Sequence, residues 1–169
     1  DLGTKVVDLE VSARRALLDP ELEEISREAA ALQRLEETRR TEMVRDFIAT
    51  NNLIEANVAG SLNSSFAFYM GLSDGGATPS GVTIDTALQD VWAQEPAMRA
   101  DTTEWVYTFF TLAYQPLSDD ELEELIAFAK TDAGKELTNA LFMAFDGLFN
   151  DVSRGLGLEL AQLMGSQEL

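Results

Sequence analysis

Carboxylates are the reactive groups this chain has in quantity, while histidine and cysteine are absent. Without imidazole or thiol there is no Ser-His-Asp or Cys-His nucleophile and no zinc site built on those ligands. Nor is there a Glu-x-x-His pair of the kind that holds di-iron in helical bundles. The three lysines, Lys5, Lys130 and Lys135, stand in no Ser-x-x-Lys arrangement. What remains is acid chemistry, in a cluster of Asp119, Asp120, Glu121, Glu123 and Glu124 and a scattered set of Asp101, Glu104, Asp146 and Asp151. A glycoside hydrolase needs two facing carboxyl groups, one dry enough to stay protonated. The cluster instead fits the first turn of an amphipathic helix, where solvated acids favour the positive helix end. Asp146-Gly-Leu-Phe-Asn-Asp151 lacks the alternating acids and sixth-position glycine of a calcium loop. Asp146 and Asn150, one turn apart, read as a structural polar pair. The residues therefore assign no catalytic group, no metal ligand and no cofactor. A carboxylate-dependent hydrolase, with members of the scattered set converging in a cleft, is the alternative reading.

Composition narrows the partners. The 169 residues carry a net charge of −18, and residues 51–169 hold 4 basic against 18 acidic side chains. Such a field repels phosphate backbones and anionic headgroups, which require clustered Lys and Arg. No nucleic acid is expected as a partner, and no apolar run reaches the ~18–20 residues of a membrane span. Hydrophobic residues make up 46 % of the chain, enough for a sizeable core and too many for a disordered chain. Absence of cysteine suits an oxidising compartment, and the chain opens at Asp1 without an initiator Met. That opening fits either a leader peptide removed on export or a trimmed start.

The elements follow from periodicity and caps. Residues 1–18 read as an N-terminal helix or arm with Val7 and Val11 on its apolar side. Asp19-Pro20 restarts the helix, with Asp as cap and Pro at the first position. Leu18, Leu22, Ile25, Ala29 and Leu32 then form a narrow packing seam. Gln33 to Arg45 reads as a solvated part of one long helical segment, 19–72. Its later turns carry Phe47, Ile54, Val58, Leu62, Phe66 and Tyr69, with small and uncharged polar residues between. Those polar positions suit tight helix packing or a polar ligand groove. Residues 73–82, with Gly75, Gly76 and Pro79, are a connector that matches no phosphate loop.

Residues 83–169 form the helical core. A short helix runs to Trp92 and stops before Pro96, and another runs from Thr102 to Tyr114, apolar on every side and so buried. Ser118 and Glu121 spell a capping box, Thr131 caps a further helix, and Gly134 permits close packing at that turn. The last helix reaches about Met164, with a stripe of Leu137, Leu141, Phe145, Leu148, Val152 and Leu156, widened by Phe142, Phe149 and Leu163. Gly147, Gly155 and Gly157 each cost helix propensity and mark helix crossings or a kink. Nothing alternates with period two, so no sheet is expected.

The run Leu117-Ser-Asp-Asp-Glu-Leu122, then Ile126-Ala-Phe-Ala129 and Thr131-Asp-Ala-Gly-Lys-Glu-Leu137, resembles the signature of a bacterial family catalogued as domain of unknown function 2059. The likeness covers about residues 103–165. It departs at Ala129, where members often have Tyr, and at Asp132, where Pro is common. It implies an all-α, exported, periplasmic protein of a Gram-negative bacterium and supplies no catalytic residues.

The combined reading is a single all-α domain of about six or seven helices, acting as a non-enzymatic binding or protein-interaction module. Its partner would be a protein or an apolar small ligand, held in a groove beside Trp105, Phe109, Phe110, Tyr114, Phe142 and Phe149, or a second copy in a homodimer.

Overall fold

The computed structural model describes residues 1–77 and 83–167, and among these every regular element is a helix. The order is α1 (Leu2–Ala16), α2 (Pro20–Leu35), α3 (Arg39–Thr50), α4 (Leu53–Asp74), α5 (Ile84–Ala93), α6 (Glu95–Tyr114), α7 (Asp119–Ala129) and α8 (Asp132–Gln167). The all-α expectation holds, with eight helices rather than six or seven among the described residues. The difference comes from the stretch 19–72, which is cut twice. Thr38 caps α3 by accepting from the Thr41 amide at 3.2 Å, and Asn52 turns the chain between α3 and α4 at φ 51°. Asparagine tolerates that left-handed conformation better than most residues. Of the expected 73–82 connector, a turn follows α4 through Gly76, whose φ is 77°. Residues 78–82, including Pro79, lie outside the described residues.

The other helix starts obey their local chemistry. The Asp19 carboxylate accepts from the amides of Glu21 and Leu22, with Pro20 in the first position. At α7 the Glu121 amide donates to Ser118 Oγ at 3.2 Å while Glu121 Oε2 accepts from the Ser118 amide at 2.9 Å. Thr131 Oγ1 accepts from the Gly134 amide at 3.1 Å. Helix α5 stops before Pro96 as expected, but Pro96 also opens the next helix. It sits in the first turn of α6, where its missing N–H has no helical partner to lose, so it begins the helix well before Thr102.

The chain divides into two compact units, Asp1–Ile54 with Ala100–Thr138 and Glu55–Arg99 with Asn139–Leu169. The first holds α1–α3, the C-terminal part of α6 and α7. Its core is built from Val44, Phe47, Ile48, Val106, Phe109, Tyr114, Leu122 and Ile126, and α3 packs on α7. The Arg/Glu-rich stretch 33–45 is a correction to the sequence reading, because its Thr41, Met43 and Val44 are buried. Two of its charges reach across to α7, where the partly buried Arg40 meets Asp119 at 3.0 Å and Arg39 pairs with Glu123. The buried Thr41 hydroxyl donates to the Gln33 carbonyl at 3.1 Å and ties the α2–α3 turn.

The second unit is organised by a close crossing of α4 and α8. A Cβ added to Gly71 would meet the Arg154 carbonyl carbon and the Leu158 nitrogen at 2.9 Å. One added to Gly157 would lie 2.9 Å from the Leu72 nitrogen and 3.1 Å from the Gly71 Cα, and closer still to the Phe68 carbonyl oxygen. Gly60 faces Asp146 and Gly75 faces Ala161. Residue numbers rise together along both helices, so α4 and α8 run parallel with main chain against main chain. Val58, Leu62, Ala87, Val91 and Ala161 complete the buried set of this unit.

Candidate interaction surface

The six aromatic residues expected to line a groove fall in different settings. Trp105, Phe109, Phe110 and Tyr114 belong to the first unit and form a ladder along α6. Trp105 stacks on Phe109 at 5.2 Å, Phe109 meets Phe110 edge-on at 4.9 Å, and Phe110 lies 5.3 Å from Tyr114. Phe47 of α3 closes on Phe110 and Tyr114 at 5.3 and 5.1 Å. Phe109 and Tyr114 are buried, whereas Trp105 and Phe110 keep some exposure, with the Arg14 guanidinium 4.7 Å above the Trp105 ring. Phe142 and Phe149 belong to the second unit, Phe142 half-buried and Phe149 exposed.

A cavity of about 260 Å³ adjoins Trp105 and is lined by Leu17, Glu23, Arg27, Asp101, Glu104 and Thr108. Arg27 Nε lies 3.3 Å from Glu104, so one wall carries an exposed ion pair. Asp101 and Glu104 are thus brought together in the first unit, while Asp146 and Asp151 belong to the second. Among the described residues no group of three or more acids is placed to hold a metal ion. In the Asp119–Glu124 cluster Glu121 accepts from Lys5 at 2.6 Å. That bond, then the Ser118 amide, holds its carboxyl below the usual carboxylate range, the reverse of what a general acid requires.

Glu10 behaves oppositely. Burial raises its pKa, and the Tyr114 hydroxyl, which donates to Glu10 Oε1 at 2.7 Å, only partly opposes this. Burial likewise raises the Tyr114 phenol, with the Glu10 charge adding to it. The pair fastens α1 to α6 within the first unit. Sequence reading missed it because the partners are 104 residues apart and neither position breaks a pattern.

The dominant surface feature is the outer face of α8. Leu141, Phe145, Leu148, Phe149, Val152, Leu156 and Leu163 are each 50–60 % exposed. Sequence patterning identified this stripe as core, and the structure corrects that reading. The reason is visible at the α4–α8 crossing, where α8 turns its small and polar meridian inward. Gly157 and Ala161 are buried, Asn150 Oδ1 accepts from Ser64 at 3.3 Å, and Arg154 pairs with Asp74 at 2.6 Å. A helix that docks by glycine contact on one side leaves its large side chains on the other. The α2 seam is corrected in the same way, since Leu18, Leu22, Ile25 and Leu32 are all exposed. It is interleaved with Glu21, Glu23, Glu24, Arg27 and Glu28, whereas α8 carries Asp146, Asp151, Arg154 and Glu159 as its only charges between Leu141 and Leu163.

The seam of small residues on α4 carried the missing signal. Gly60, Ser64, Gly71 and Gly75 recur near helical spacing, though Gly71 and Gly75 read more naturally as the start of a loop. Beside this seam lies a shallow hollow of about 480 Å³, walled by Phe68, Tyr69, Leu72 and Leu156 and carrying the hydroxyls of Ser64, Ser65 and Ser153. No helix among the described residues is long and apolar enough to cross a membrane. Comparison with protein-family profiles, curated proteins and solved structures gives no match to this chain.

Proposed function

We propose that this chain is a non-enzymatic interaction module that docks a protein partner on the outer face of α8. One observation carries the reading: seven large apolar side chains stand half exposed on one side of a helix whose Asn150, Gly157 and Ala161 face its neighbour. Exposed contiguous apolar surface of several hundred Å² marks a contact site in soluble proteins. The face is also poor in charge in a chain whose net charge is −18, so a partner meets little desolvation cost there. The periplasmic setting rests on the resemblance of residues 103–165 to an exported family.

The test uses the absence of cysteine. A single Val152→Cys variant carrying an environment-sensitive fluorophore reports whether the face is covered. Blue-shifted emission on raising the protein concentration, or on adding a native envelope extract, supports the reading. Emission that stays solvent-like under both conditions overturns it.

A further inference from the structure

Resting on that reading, we infer that the occupant of the α8 face is a second copy of this chain, docked antiparallel about a two-fold axis near Leu148 and Phe149. Area is the first argument. Six side chains within the paired span from Leu141 to Leu156, each half exposed at roughly 100 Å² apiece, offer about 600 Å² before Leu163 and any polar rim are counted, most of the roughly 800 Å² per partner of a stable interface. The stripe from Leu141 to Leu163 extends about 33 Å along the helix, a length that another helix of the same kind matches.

The spacing supplies the second argument. Leu141, Phe145, Leu148, Val152, Leu156, Glu159 and Leu163 step by 4, 3, 4, 4, 3 and 4, the repeat of a nearly straight helix seam rather than of a strongly supercoiled one. Two such seams pair with only a shallow right-handed winding. Glu159 then decides direction. It sits three turns after Leu148 on the same face. A parallel, in-register pair sets two Glu159 carboxylates against each other inside an apolar seam, which is costly. The antiparallel pair separates them by on the order of 30 Å, well beyond the screening length at physiological salt. It also sets Leu148 against Phe149 of the second copy, Phe145 against Val152 and Leu141 against Leu156, with opposed helix dipoles.

An anionic lipid surface fits this face poorly. An interfacial helix flanks its apolar side with Lys and Arg, and Arg154, the one basic residue between Leu141 and Leu163, is paired with Asp74.

Sedimentation equilibrium on the whole chain gives the mass, 18.5 kDa for one copy. We expect twice that value at micromolar concentration. Leu148→Asp, a change at an exposed position, should return the single-copy mass with helical content by circular dichroism unchanged. Leu22→Asp with Ile25→Asp on α2 should leave the doubled mass. Under mild oxidation Leu148→Cys should form a disulfide-linked dimer, whereas Glu159→Cys should not. A single-copy mass for the unaltered chain overturns the inference, as does a dimer abolished by the α2 changes or bridged through Glu159→Cys. If the Val152→Cys probe shifts only with extract while the mass stays single, the second copy is refuted and the docking face stands.

Discussion

Glycine to alanine is a small change that the α4–α8 crossing should turn into opposite outcomes at two sites on one helix. At Gly147 an added Cβ has no neighbour within 4 Å. The substitution there should gain helix propensity and stabilise by ~0.5–1 kcal/mol. The same gain applies at Gly157, but there the methyl enters space held by main-chain atoms, with the Leu72 nitrogen at 2.9 Å and the Gly71 Cα at 3.1 Å. Neither can rotate aside as a side-chain tip would, so the two helices must separate by several tenths of an ångström or more. Overpacking of this kind costs ~1–3 kcal/mol, and loss of the contacts along Gly60 and Gly75 adds to it. Net destabilisation of ~1–2 kcal/mol is expected for Gly157→Ala, and a gap of ~1.5–3 kcal/mol between the two variants. Urea unfolding followed by far-ultraviolet circular dichroism, repeated at two protein concentrations to separate association from folding, measures that gap. If both variants shift the midpoint in the same direction by similar amounts, the crossing is not a main-chain contact and the packing argument for unit two fails.

Two further changes test the first unit. Glu10 has a folded-state pKa raised above its unfolded value of about 4.5, so the folded protein binds more protons through the window just above that value. Stability should therefore fall as pH rises through the window, and Glu10→Gln should flatten that slope by keeping an uncharged acceptor for the Tyr114 hydroxyl. Thermal unfolding from pH 4 to 7 reads it, and an unchanged slope in the variant would show that the carboxyl is not desolvated. Ser118→Ala removes one half of the α7 capping box and should cost ~1 kcal/mol, measured by chemical denaturation. A cost near zero would mean that packing alone sets the start of α7.

Local chemistry was legible wherever a few adjacent residues decide the outcome. Ser118 with Glu121, Asp19 with Pro20, and Thr131 with Gly134 each specify a helix start through bonds spanning two or three residues, and all three form. Pro96 was partly legible: α5 does stop before it, at Ala93, but the ring also opens α6, which the residue type alone does not reveal. The α8 stripe shows a different gap. Periodicity identifies the face that apolar residues share, but not whether its cover comes from the same chain. At α8 the in-chain contact was won by Gly157 and Ala161, whose small size allows an approach that Leu148 and Val152 prevent. The aromatic ladder was half legible: Trp105 to Tyr114 share α6, while the place of Phe142 and Phe149 depends on which side of α8 turns inward. The Glu10–Tyr114 bond had no sequence signal, being a meeting of distant residues.

The joint between Gly71 and Gly157 has a practical consequence for anyone mapping this molecule by mutagenesis. Residues without side chains cannot be shortened, so truncation series of the usual kind pass silently over the contact that sets the spacing of α4 and α8. The joint also freezes no rotamers when it forms, which spares it one of the usual entropic losses of packing. Its importance emerges only when atoms are added, and a survey that merely deletes them would score the centre of the second unit as dispensable.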